Sequence, residues 1–347
     1  MSLLRDLRIP VLQAPMAGIA TPALAAEVSR AGALGGMGLA TVPPVRAAAM
    51  MAEAQQRIGG NRFHVNLFCH RAATPDPARE AGWLDYLAPE FRRAGASPPA
   101  ALREIFASFL AGDEMLAALL AARPAMISFH FGLPRRDQIA ALRETGALLA
   151  CSATSPAEGR AIREAGLDAI IAQGHEAGGH RGIFEPDGPD ERLSTADLFA
   201  ALKQLDLPLI AAGGIMDGRD AARFLDAGAV AVQMGTAFVA CPESAADAAY
   251  RARLGQVRQK TVMTRAISGR PARGFANRLT ALGASADAPR LPDYPIAYDA
   301  GKALAAAGGA DYAAHWAGAH AARARAMPAA DLVATLGREI AMARKTA

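Results

Sequence analysis

One loop of the sequence combines residue types that suit proton transfer. The ten residues that begin at Gln173 read Gln-Gly-His-Glu-Ala-Gly-Gly-His-Arg-Gly, so His180 follows the glycine pair Gly178 and Gly179. Paired glycines allow positive φ and a close approach of the backbone to a flat ligand, while an imidazole accepts a proton near neutral pH. The apolar run 169–172 comes directly before the loop. If that run is a strand of a parallel α/β fold, the loop lies where such folds gather their active sites.

Two further glycine segments have residue types that bind a phosphate group. One contains Gly213 and Gly214, and the other contains Gly235 followed by Thr236. In (β/α)8 barrels the loops after the last two strands commonly hold phosphate with backbone N–H groups, and a threonine hydroxyl adds a donor. Glycines can also simply end a strand tightly, but their joint occurrence after the seventh and eighth predicted strands favours phosphate. The sequence therefore predicts an organic phosphate cofactor.

The other histidines give weaker signals. His175 and His180 are five residues apart with the glycine pair between them. They therefore do not share a helix face as the histidines of an HExxH zinc site do, and no metal is predicted. His130 lies in the run Ser-Phe-His-Phe-Gly, where it could face the same site as His180, and both a structural role and a ligand-binding role stay open for it. A structural or surface role is predicted for His64, His70, His315 and His320.

Eight short apolar runs that end in glycine, proline or polar residues alternate with segments of helical spacing. Such an alternation indicates a parallel sheet buried on both faces. Eight units fit a (β/α)8 TIM barrel better than an open doubly wound sheet, and no GxGxxG dinucleotide fingerprint follows the first strand. The predicted strands are 11–16, 34–39, 63–68, 125–131, 148–153, 169–174, 208–214 and 231–236, and the clearest predicted helices are 21–31, 134–145, 155–165 and 217–227.

The chain is longer than a plain barrel. Its 347 residues, 52% of them apolar, exceed the roughly 250 that such a barrel needs. The connection between the third and fourth predicted strands, about 70–123, is long and has its own aromatic residues, which predicts an insertion after strand 3. After Ala240 the strand pattern stops and Ala- and Arg-rich helical sequence follows. We therefore predict a cofactor-binding barrel over 1–240 and a C-terminal helical cap over 241–347 that lies over the barrel mouth.

Charge and targeting signals argue against several classes of protein. The net charge of +4 comes from dispersed Arg and Lys without a basic block, so nucleic-acid binding is not predicted. The N-terminal residues lack the apolar core of a signal peptide, and no uninterrupted apolar stretch resembles a spanning helix. We expect a cytoplasmic protein without a membrane partner, for which a homo-oligomer stays open. Reduced, mostly buried thiols are expected for Cys69, Cys151 and Cys241, because no CxxC spacing or activating motif accompanies them.

Five motifs are spread over almost the whole chain. They are Gln-Ala-Pro-Met-Ala-Gly (13–18), Asn-Leu-Phe (66–68), Gln-Gly-His-Glu-Ala-Gly-Gly-His (173–180), Ala-Ala-Gly-Gly-Ile (211–215) and Gln-Met-Gly-Thr-Ala-Phe (233–238). Together they resemble the nitronate monooxygenases, formerly called 2-nitropropane dioxygenases. The Glu-Ala-Gly-Gly-His core is shared with flavin-dependent enoyl-acyl-carrier-protein reductases and with a class of NADH:quinone reductases. The Ser-Phe-His-Phe-Gly element, and a tail that contains Tyr294, Tyr298, Lys302 and Trp316, resemble the class I nitronate monooxygenases in particular.

The resemblance implies an FMN-dependent (β/α)8 barrel in which His180 is the active-site base. It also implies a substrate pocket lined by His130, Tyr294, Tyr298 and Lys302. The lysine would attract the carboxylate of a small anion such as propionate 3-nitronate. The four-residue spacing of Tyr294, Tyr298 and Lys302 fits one exposed helix face equally well. The positions that match FMN contacts are Pro15, Met16, Asn66, Gln173, Gly178, Gly179, Gly213, Gly214, Gln233, Met234, Gly235 and Thr236.

The implied reaction is oxidative denitrification, in which an alkyl nitronate and O2 give a carbonyl compound and nitrite while FMN carries the electrons. His180 would matter most for neutral nitroalkanes, which must first lose an α-proton. One alternative is an NAD(P)H-dependent flavin reductase of quinones or enoyl thioesters. Another is a barrel without catalytic activity that senses a phosphate-bearing metabolite. A titratable base in a glycine loop favours an enzyme over a pure binder.

Overall fold

The core of the molecule is a closed barrel of eight parallel strands. The structure, a computed structural model, describes residues 2–345. All its strands except β7, β10 and β11 form the barrel, in the order β1-β9-β8-β6-β5-β4-β3-β2. The barrel closes where the amide of Leu34 donates to the carbonyl of Val11 at 3.0 Å. The strands are β1 (Val11–Gln13), β2 (Gly36–Gly38), β3 (His64–Phe68), β4 (Met126–His130), β5 (Leu148–Ala153), β6 (Ala169–Gln173), β7 (Gly179–His180), β8 (Leu209–Ala212), β9 (Ala231–Met234), β10 (Thr261–Thr264) and β11 (Ala272–Phe275).

Helices surround this barrel and cover one of its ends. Thr21, Ser155 and Asp217 begin barrel helices, because each side chain accepts a hydrogen bond from the amide three residues later, at 3.0, 3.3 and 2.9 Å. The helices are α1 (Ser2–Arg5), α2 (Pro22–Arg30), α3 (Pro44–Ile58), α4 (Pro77–Arg93), α5 (Glu114–Ala122), α6 (Arg136–Arg143), α7 (Pro156–Glu164), α8 (Thr195–Leu202), α9 (Gly218–Asp226), α10 (Thr236–Val239), α11 (Ala248–Arg253), α12 (Arg278–Gly283), α13 (Ile296–Gly308) and α14 (Ala329–Ala343).

The predicted architecture is confirmed in its main features. Each of the eight predicted strands contains one barrel strand, and the four clearest predicted helices correspond to α2, α6, α7 and α9. The fold is therefore a (β/α)8 barrel. No helix among residues 2–345 is long and apolar enough to cross a membrane.

Side chains that alternate along the strands divide the barrel interior into two layers. At the amino ends of the strands the inward residues are apolar, among them Leu12, Met126 and Ile210, and α1 closes this end with Leu4. Toward the carboxyl ends the inward residues are polar and line a cleft; they are Asn66, Ser128, Ser152, Gln173 and Gln233. The residues between them point outward and form the main hydrophobic core against the helices. The barrel interior is therefore filled by apolar side chains at the amino ends of the strands, and polar side chains line an open cleft at the carboxyl ends.

The prediction that all of 241–347 forms a C-terminal cap is wrong for its last helix, α14; the final two residues of this range lie outside the described residues. Helix α14 packs beside α9 and α2 and completes the outer ring of the barrel. Its buried residues Leu332, Leu336 and Ile340 belong to the main barrel core. The chain thus leaves the barrel after Ala240 and returns at Ala329. The amphipathic spacing of α14 indicated a helix, but that spacing does not reveal which surface the apolar side covers.

The cap itself is not purely helical, which corrects the prediction that strands end at Ala240. Strands β10 and β11 pair antiparallel, and β11 also pairs antiparallel with β7. Each of these strands is too short to give a clear alternation of apolar and polar residues. The register places Ala272 opposite His180, so the cap is hydrogen-bonded to the glycine loop of the barrel.

The insertion predicted at 70–123 ends earlier than predicted, before α5. Helix α5 lies between α3 and α6 and is an ordinary barrel helix. Helix α4, in contrast, packs on α13 of the cap, where Trp83 and Phe91 share an apolar cluster with Ile296 and Leu304. Two separate chain segments therefore build one cap, because neither could bury its apolar residues alone.

Replacement of Leu336 by alanine tests whether α14 belongs to the barrel. Leu336 is fully buried in the barrel core, so we expect a loss of about 2–5 kcal/mol in the free energy of unfolding. The control is Val45→Ala, whose side chain in α3 is 80% exposed and should change stability by less than about 0.5 kcal/mol. Denaturant unfolding measures both variants, and equal small effects would contradict the placement of α14.

Candidate active site

A cleft opens at the carboxyl ends of the barrel strands, beneath the cap. It encloses about 1300 Å³ free of protein atoms, including its mouth. Most of the predicted site residues line it. These are Pro15, Met16, Asn66, His130, Gln173, Gly178, Gly179, His180, Gly213, Gly214, Gln233, Gly235, Thr236 and Tyr298. Residues from six different strand ends and from the cap therefore meet in one place.

The carbonyl oxygen of His180 fixes the glycine loop to the barrel. It accepts hydrogen bonds from Nε2 of Gln173 at 2.9 Å and from Nε2 of His130 at 3.2 Å. The side-chain oxygen of Gln173 accepts from the amide of Gly182 at 2.7 Å, so this side chain holds the loop at two points. Gly179 has a φ of +78°, a conformation that favours glycine. The loop is therefore held in one geometry by β4 and β6.

The close approach of the cap explains why glycine stands at position 178. A Cβ atom there would lie 2.5 Å from the amide nitrogen of Gly318, much closer than van der Waals contact. The carbonyl of Glu176 in the same loop accepts from the amide of Ala319 at 2.9 Å. The glycine loop is consequently in contact with the barrel on one side and with residues 316–320 of the cap on the other.

The imidazole of His180 projects into the cleft among aromatic rings. Its ring centroid is 5.1 Å from that of Trp316 and 6.0 Å from that of Tyr298. Nε2 lies 2.8 Å from the hydroxyl of Ser268, and no hydrogen bond to Nδ1 is present within residues 2–345. Burial first, and then the charges of His130 and Arg270, lower the pKa of His180 to about 3. The ring is therefore neutral at physiological pH, and His180 is part of the cleft lining.

His130 is also neutral, and its contact defines its tautomer. Burial is the main reason that its pKa is lowered to about 4. Because Nε2 meets a carbonyl oxygen, which can only accept, Nε2 must carry the proton. His130 thus lines the cleft and at the same time orients the loop of His180.

The floor of the cleft is a short chain of polar side chains. The hydroxyl of Ser128 accepts from Nδ2 of Asn66 at 2.8 Å and lies 2.6 Å from Nε2 of His64. His64 is fully buried, and burial lowers its pKa to about 3. If Nε2 of His64 donates to Ser128, the serine proton is free to point into the cleft. The predicted structural role of His64 agrees with this position under the floor.

The glycine loops after β8 and β9 form the opposite end of the cleft. Gly213 and Gly214 have φ values of +123° and +70°, and the amides of 213–215 have no acceptor in the described part of the chain. The hydroxyl of Thr236 accepts from the amide of Gly318 at 3.0 Å, which leaves its proton free to donate. Oε1 of Gln233 is buried and has no partner among the described residues. This end of the cleft therefore offers a ligand several hydrogen-bond donors and one acceptor that have no partner within the protein.

Three predicted site residues do not line the cleft. Met234 points outward into the barrel core, as the alternation along β9 requires once Gln233 faces inward. Tyr294 lies behind His180, with ring centroids 5.7 Å apart. Lys302 is exposed on α13, and its Nζ lies over the rings of Phe106 and Tyr298 at 5.2 and 5.9 Å. The side chain of Met234 therefore does not line the cleft, so only its backbone could meet the expected cofactor, and Lys302 stands outside the cleft wall.

Several cleft residues escaped the sequence analysis. His320, for which a structural or surface role was expected, lines the cleft, and its Nδ1 lies 2.8 Å from the carbonyl of Gly214. Ser268 touches His180 but stands in a cap segment without a recognisable motif. Ser128 and Ser152 could have been found, because they continue the two-residue alternation of their strands. Cys69 and Cys151 are buried as expected, and burial raises the pKa of each thiol.

Comparisons with known proteins agree on one family. A family model described as nitronate monooxygenase matches residues 1–339. The chain is 52% identical over 337 residues to a nitronate monooxygenase of Paraburkholderia phytofirmans, covering 95% of this chain and 92% of that protein. It is 50% identical over 337 residues to one of Pseudomonas aeruginosa, covering 95% and 96%.

Two solved structures are similar to the whole chain. One is a nitroalkane oxidase from Streptomyces ansochromogenes, with a TM-score of 0.89 and 35% identity, covering 100% of this chain and 99% of that one. The other is FabK from Thermotoga maritima, with a TM-score of 0.75 and 25% identity, covering 99% and 96%. The cap is therefore shared with these structures as well as the barrel.

The buried histidine under the floor predicts a specific pH dependence of stability. His64 titrates at about 3 in the folded chain and near 6.5 when unfolded. The unfolded state then binds more protons, so the stability that His64 contributes is present above about pH 6.5 and declines as the pH falls toward 3. One such group changes the free energy of unfolding by at most about 1.4 kcal/mol per pH unit.

His64→Gln removes this group while keeping a polar side chain beside Ser128. Denaturant unfolding from pH 6.5 to 4.5 should show that the free energy of unfolding declines less steeply in the variant. The difference in slope corresponds to at most about one proton, or about 1.4 kcal/mol per pH unit. Carboxylates titrate alike in both proteins, so their effect cancels in the difference. Parallel curves would show that His64 is not held neutral by burial.

Proposed function

The chain belongs to the nitronate monooxygenase family of oxidoreductases, and we propose that it is an FMN-dependent enzyme that oxidises alkyl nitronates. In the proposed reaction, a nitronate and O2 give a carbonyl compound and nitrite. The observation that carries this proposal is the imidazole of His180, neutral and with Nδ1 unpartnered, in a cleft closed by aromatic rings. The relatives named nitronate monooxygenase and the solved nitroalkane oxidase support the same substrate class.

The residues present fit FMN as the cofactor. The unpaired amides of 213–215 and the free hydroxyl proton of Thr236 suit a terminal phosphate. The buried and unpartnered Oε1 of Gln233 suits a ring N–H or a ribityl hydroxyl. Asn66, Ser128 and Gln173 offer polar contacts along the floor of the cleft. When bound, FMN supplies the electron-accepting chemistry that side chains lack.

The electrostatics of the cleft favour an anionic substrate. Within residues 2–345 its lining contains no Asp or Glu that would repel a nitronate. His180 and His130 are neutral, so neither imidazole has a charge that must lose its hydration when a substrate binds. Burial raises the pKa of Tyr298, which keeps its hydroxyl protonated and able to donate to a nitronate oxygen. Orientation and exclusion of water are the contributions of these side chains.

The low pKa of His180 bears on which form of the substrate is used. An imidazole whose pKa is about 3 is available as a proton acceptor at any pH near neutral, but it is a weak base. Nitronates arrive already deprotonated and do not depend on it, whereas neutral nitroalkanes must lose an α-proton. We therefore propose nitronates as the preferred substrates and His180 as the acceptor when a nitroalkane binds.

Propionate 3-nitronate is a proposed substrate with a second negative charge. The family resemblance implied Lys302 as the partner of its carboxylate, but this ammonium lies outside the cleft, over Phe106 and Tyr298. A direct contact requires the substrate to reach past Tyr298. We therefore assign the hydroxyl of Tyr298 to the bound nitronate and give Lys302 an electrostatic role at the rim.

Oxygen uptake and nitrite release, measured together without NAD(P)H, test the proposed function. We expect both with ethyl nitronate or propionate 3-nitronate, and FMN should be released when the purified protein is denatured. Rapid NADH oxidation with a quinone or an enoyl thioester, and no nitrite, would instead support the flavin reductase. A tightly held ligand without any turnover would support a metabolite sensor. Release of FAD would contradict the cofactor assignment.

His180→Asn separates proton abstraction from binding. For neutral nitroalkanes we expect kcat/KM to fall by about 10² to 10⁴, the usual contribution of a general base. For pre-ionised nitronates the loss should be smaller, and the FMN content should not change. His175→Asn is the matched control, because His175 lies in the same loop but not in the cleft lining. Equal losses on both substrate forms would leave His180 only an orienting role.

A further inference from the structure

A serine of the cap lies against the imidazole of His180 without lining the cleft. Ser268 is 1% exposed, and its hydroxyl oxygen lies 2.8 Å from Nε2 of His180. No other hydrogen bond to this imidazole is present within residues 2–345. Because Ser268 is not part of the cleft lining, any effect that it has on the reaction must pass through His180.

The cap holds Ser268 in a fixed position. The amide of Ser268 donates to the carbonyl of Arg265 at 3.3 Å, and the next residue, Gly269, has a φ of +92°, a conformation that favours glycine. Ala272, four residues after Ser268, is the strand partner of His180. The pairing of cap and barrel therefore places the hydroxyl at the imidazole.

The hydroxyl of Ser268 has a second neighbour, which can only accept a proton. This neighbour is the carbonyl oxygen of Arg270 at 3.3 Å, and no other donor to this carbonyl is present among the described residues. The amide of Arg270 donates to the serine oxygen at 3.4 Å. A serine has one proton to donate, so Ser268 can serve either this carbonyl or Nε2 of His180.

The two choices leave His180 in different tautomers. Burial lowers the pKa of His180 to about 3, so the ring is neutral and has one N–H. If Ser268 donates to Nε2, the ring proton is on Nδ1 and the buried carbonyl of Arg270 has no donor. If Ser268 donates to that carbonyl, Nε2 carries the proton and donates to the serine oxygen. The second choice satisfies all three groups, as buried polar groups normally are.

We propose that Ser268 is a positioning residue that holds the ring proton of His180 on Nε2, so that Nδ1 is the proton acceptor. A hydrogen bond to one ring nitrogen commonly decides which tautomer an imidazole adopts. The inference rests on the proposed function, because it concerns the acceptor that a neutral nitroalkane needs. The nitrogen left with a lone pair belongs to a residue of the cleft lining.

The same contact supports the charge that forms when His180 accepts a proton. The C–H bond of the nitroalkane breaks, and its electron pair becomes the second bond between carbon and nitrogen while one nitro oxygen takes the negative charge. The proton moves to Nδ1, and the ring becomes a cation. Nε2 then still donates to Ser268, and Ser268 still donates to the carbonyl of Arg270. A hydrogen bond from a charged donor is stronger than one from a neutral donor.

Nitrogen-15 NMR of the full-length protein as purified, with labelled histidine, determines the tautomer without turnover. Protonated and bare ring nitrogens have well-separated shifts, and the signals of His180 are those absent from His180→Asn. We expect the proton on Nε2 near neutral pH. In Ser268→Ala, which removes the acceptor of this N–H, a signal of protonated Nδ1 should appear. A proton on Nδ1 in the unaltered protein would overturn the proposal.

Kinetics show whether the tautomer matters for the reaction. For Ser268→Ala we expect kcat/KM to fall about three- to tenfold with neutral nitroalkanes, the usual effect of one lost hydrogen bond, and to stay nearly unchanged with pre-ionised nitronates. Ser268→Thr keeps the hydroxyl and should restore both the tautomer and the rate. An unchanged ratio of the two kcat/KM values in Ser268→Ala contradicts the positioning role. If neither substrate is turned over, the proposed function fails, and NMR still decides the tautomer.

Ser244→Ala is the matched control. Ser244 is also buried, donates to the carbonyl of Val239 at 2.7 Å and accepts from the amide of Ala246 at 3.3 Å. It thus has the backbone contacts of Ser268 without a hydrogen bond to His180, and its removal should leave the tautomer unchanged. A tautomer change as large as that of Ser268→Ala would indicate a general loosening and overturn the proposal. If Ser268→Ala does not fold, Ser268→Cys, whose thiol bonds more weakly, takes its place.

Discussion

The site depends on one partly buried acceptor, the carbonyl oxygen of His180. Gln173 and His130 donate to it from β6 and β4, while the same residue pairs with Ala272 of the cap. A buried carbonyl needs such partners, since an unpaired one costs about 1–3 kcal/mol. The requirement connects barrel and cap at the residue that carries the imidazole. The side chain of His180 can therefore be held in place although it stands on a loop rich in glycine.

Burial in the absence of carboxylates decides the chemistry of the cleft. The pKa values of His64, His130 and His180 are all lowered. Burial removes the water that would stabilise each protonated ring, and none of the three has an acidic partner. The histidines act as neutral dipoles instead of cations. This arrangement is compatible with the proposed flavin and the proposed anionic substrate, and the guanidinium of Arg270 lies over the ring of Phe131 and not in the cleft lining.

The cap is built from two separate segments of the chain. Helix α4 comes from the insertion after β3, whereas α13 comes from the segment after β9, and they share one apolar cluster. The chain returns from the cap to the barrel through α14, so the cap is enclosed between the last strand and the last helix of the ring. The final barrel helix therefore follows the cap in the chain.

The sequence by itself determined the eight strands and the glycine loops, whereas most of the cleft lining came from the family resemblance. The strands and loops follow from local rules: apolar runs, glycine at tight turns, and the convergence of parallel strand ends. Alternation along β9 directs the side chain of Met234 away from the cleft, although the resemblance placed this position among the cofactor contacts. Only the tertiary structure decided that α14 belongs to the barrel, that Ser268 and His320 reach the site, and that Lys302 does not. These residues lie in cap or tail segments, whose positions depend on which apolar surfaces meet after the chain folds, and sequence spacing contains no information about that pairing.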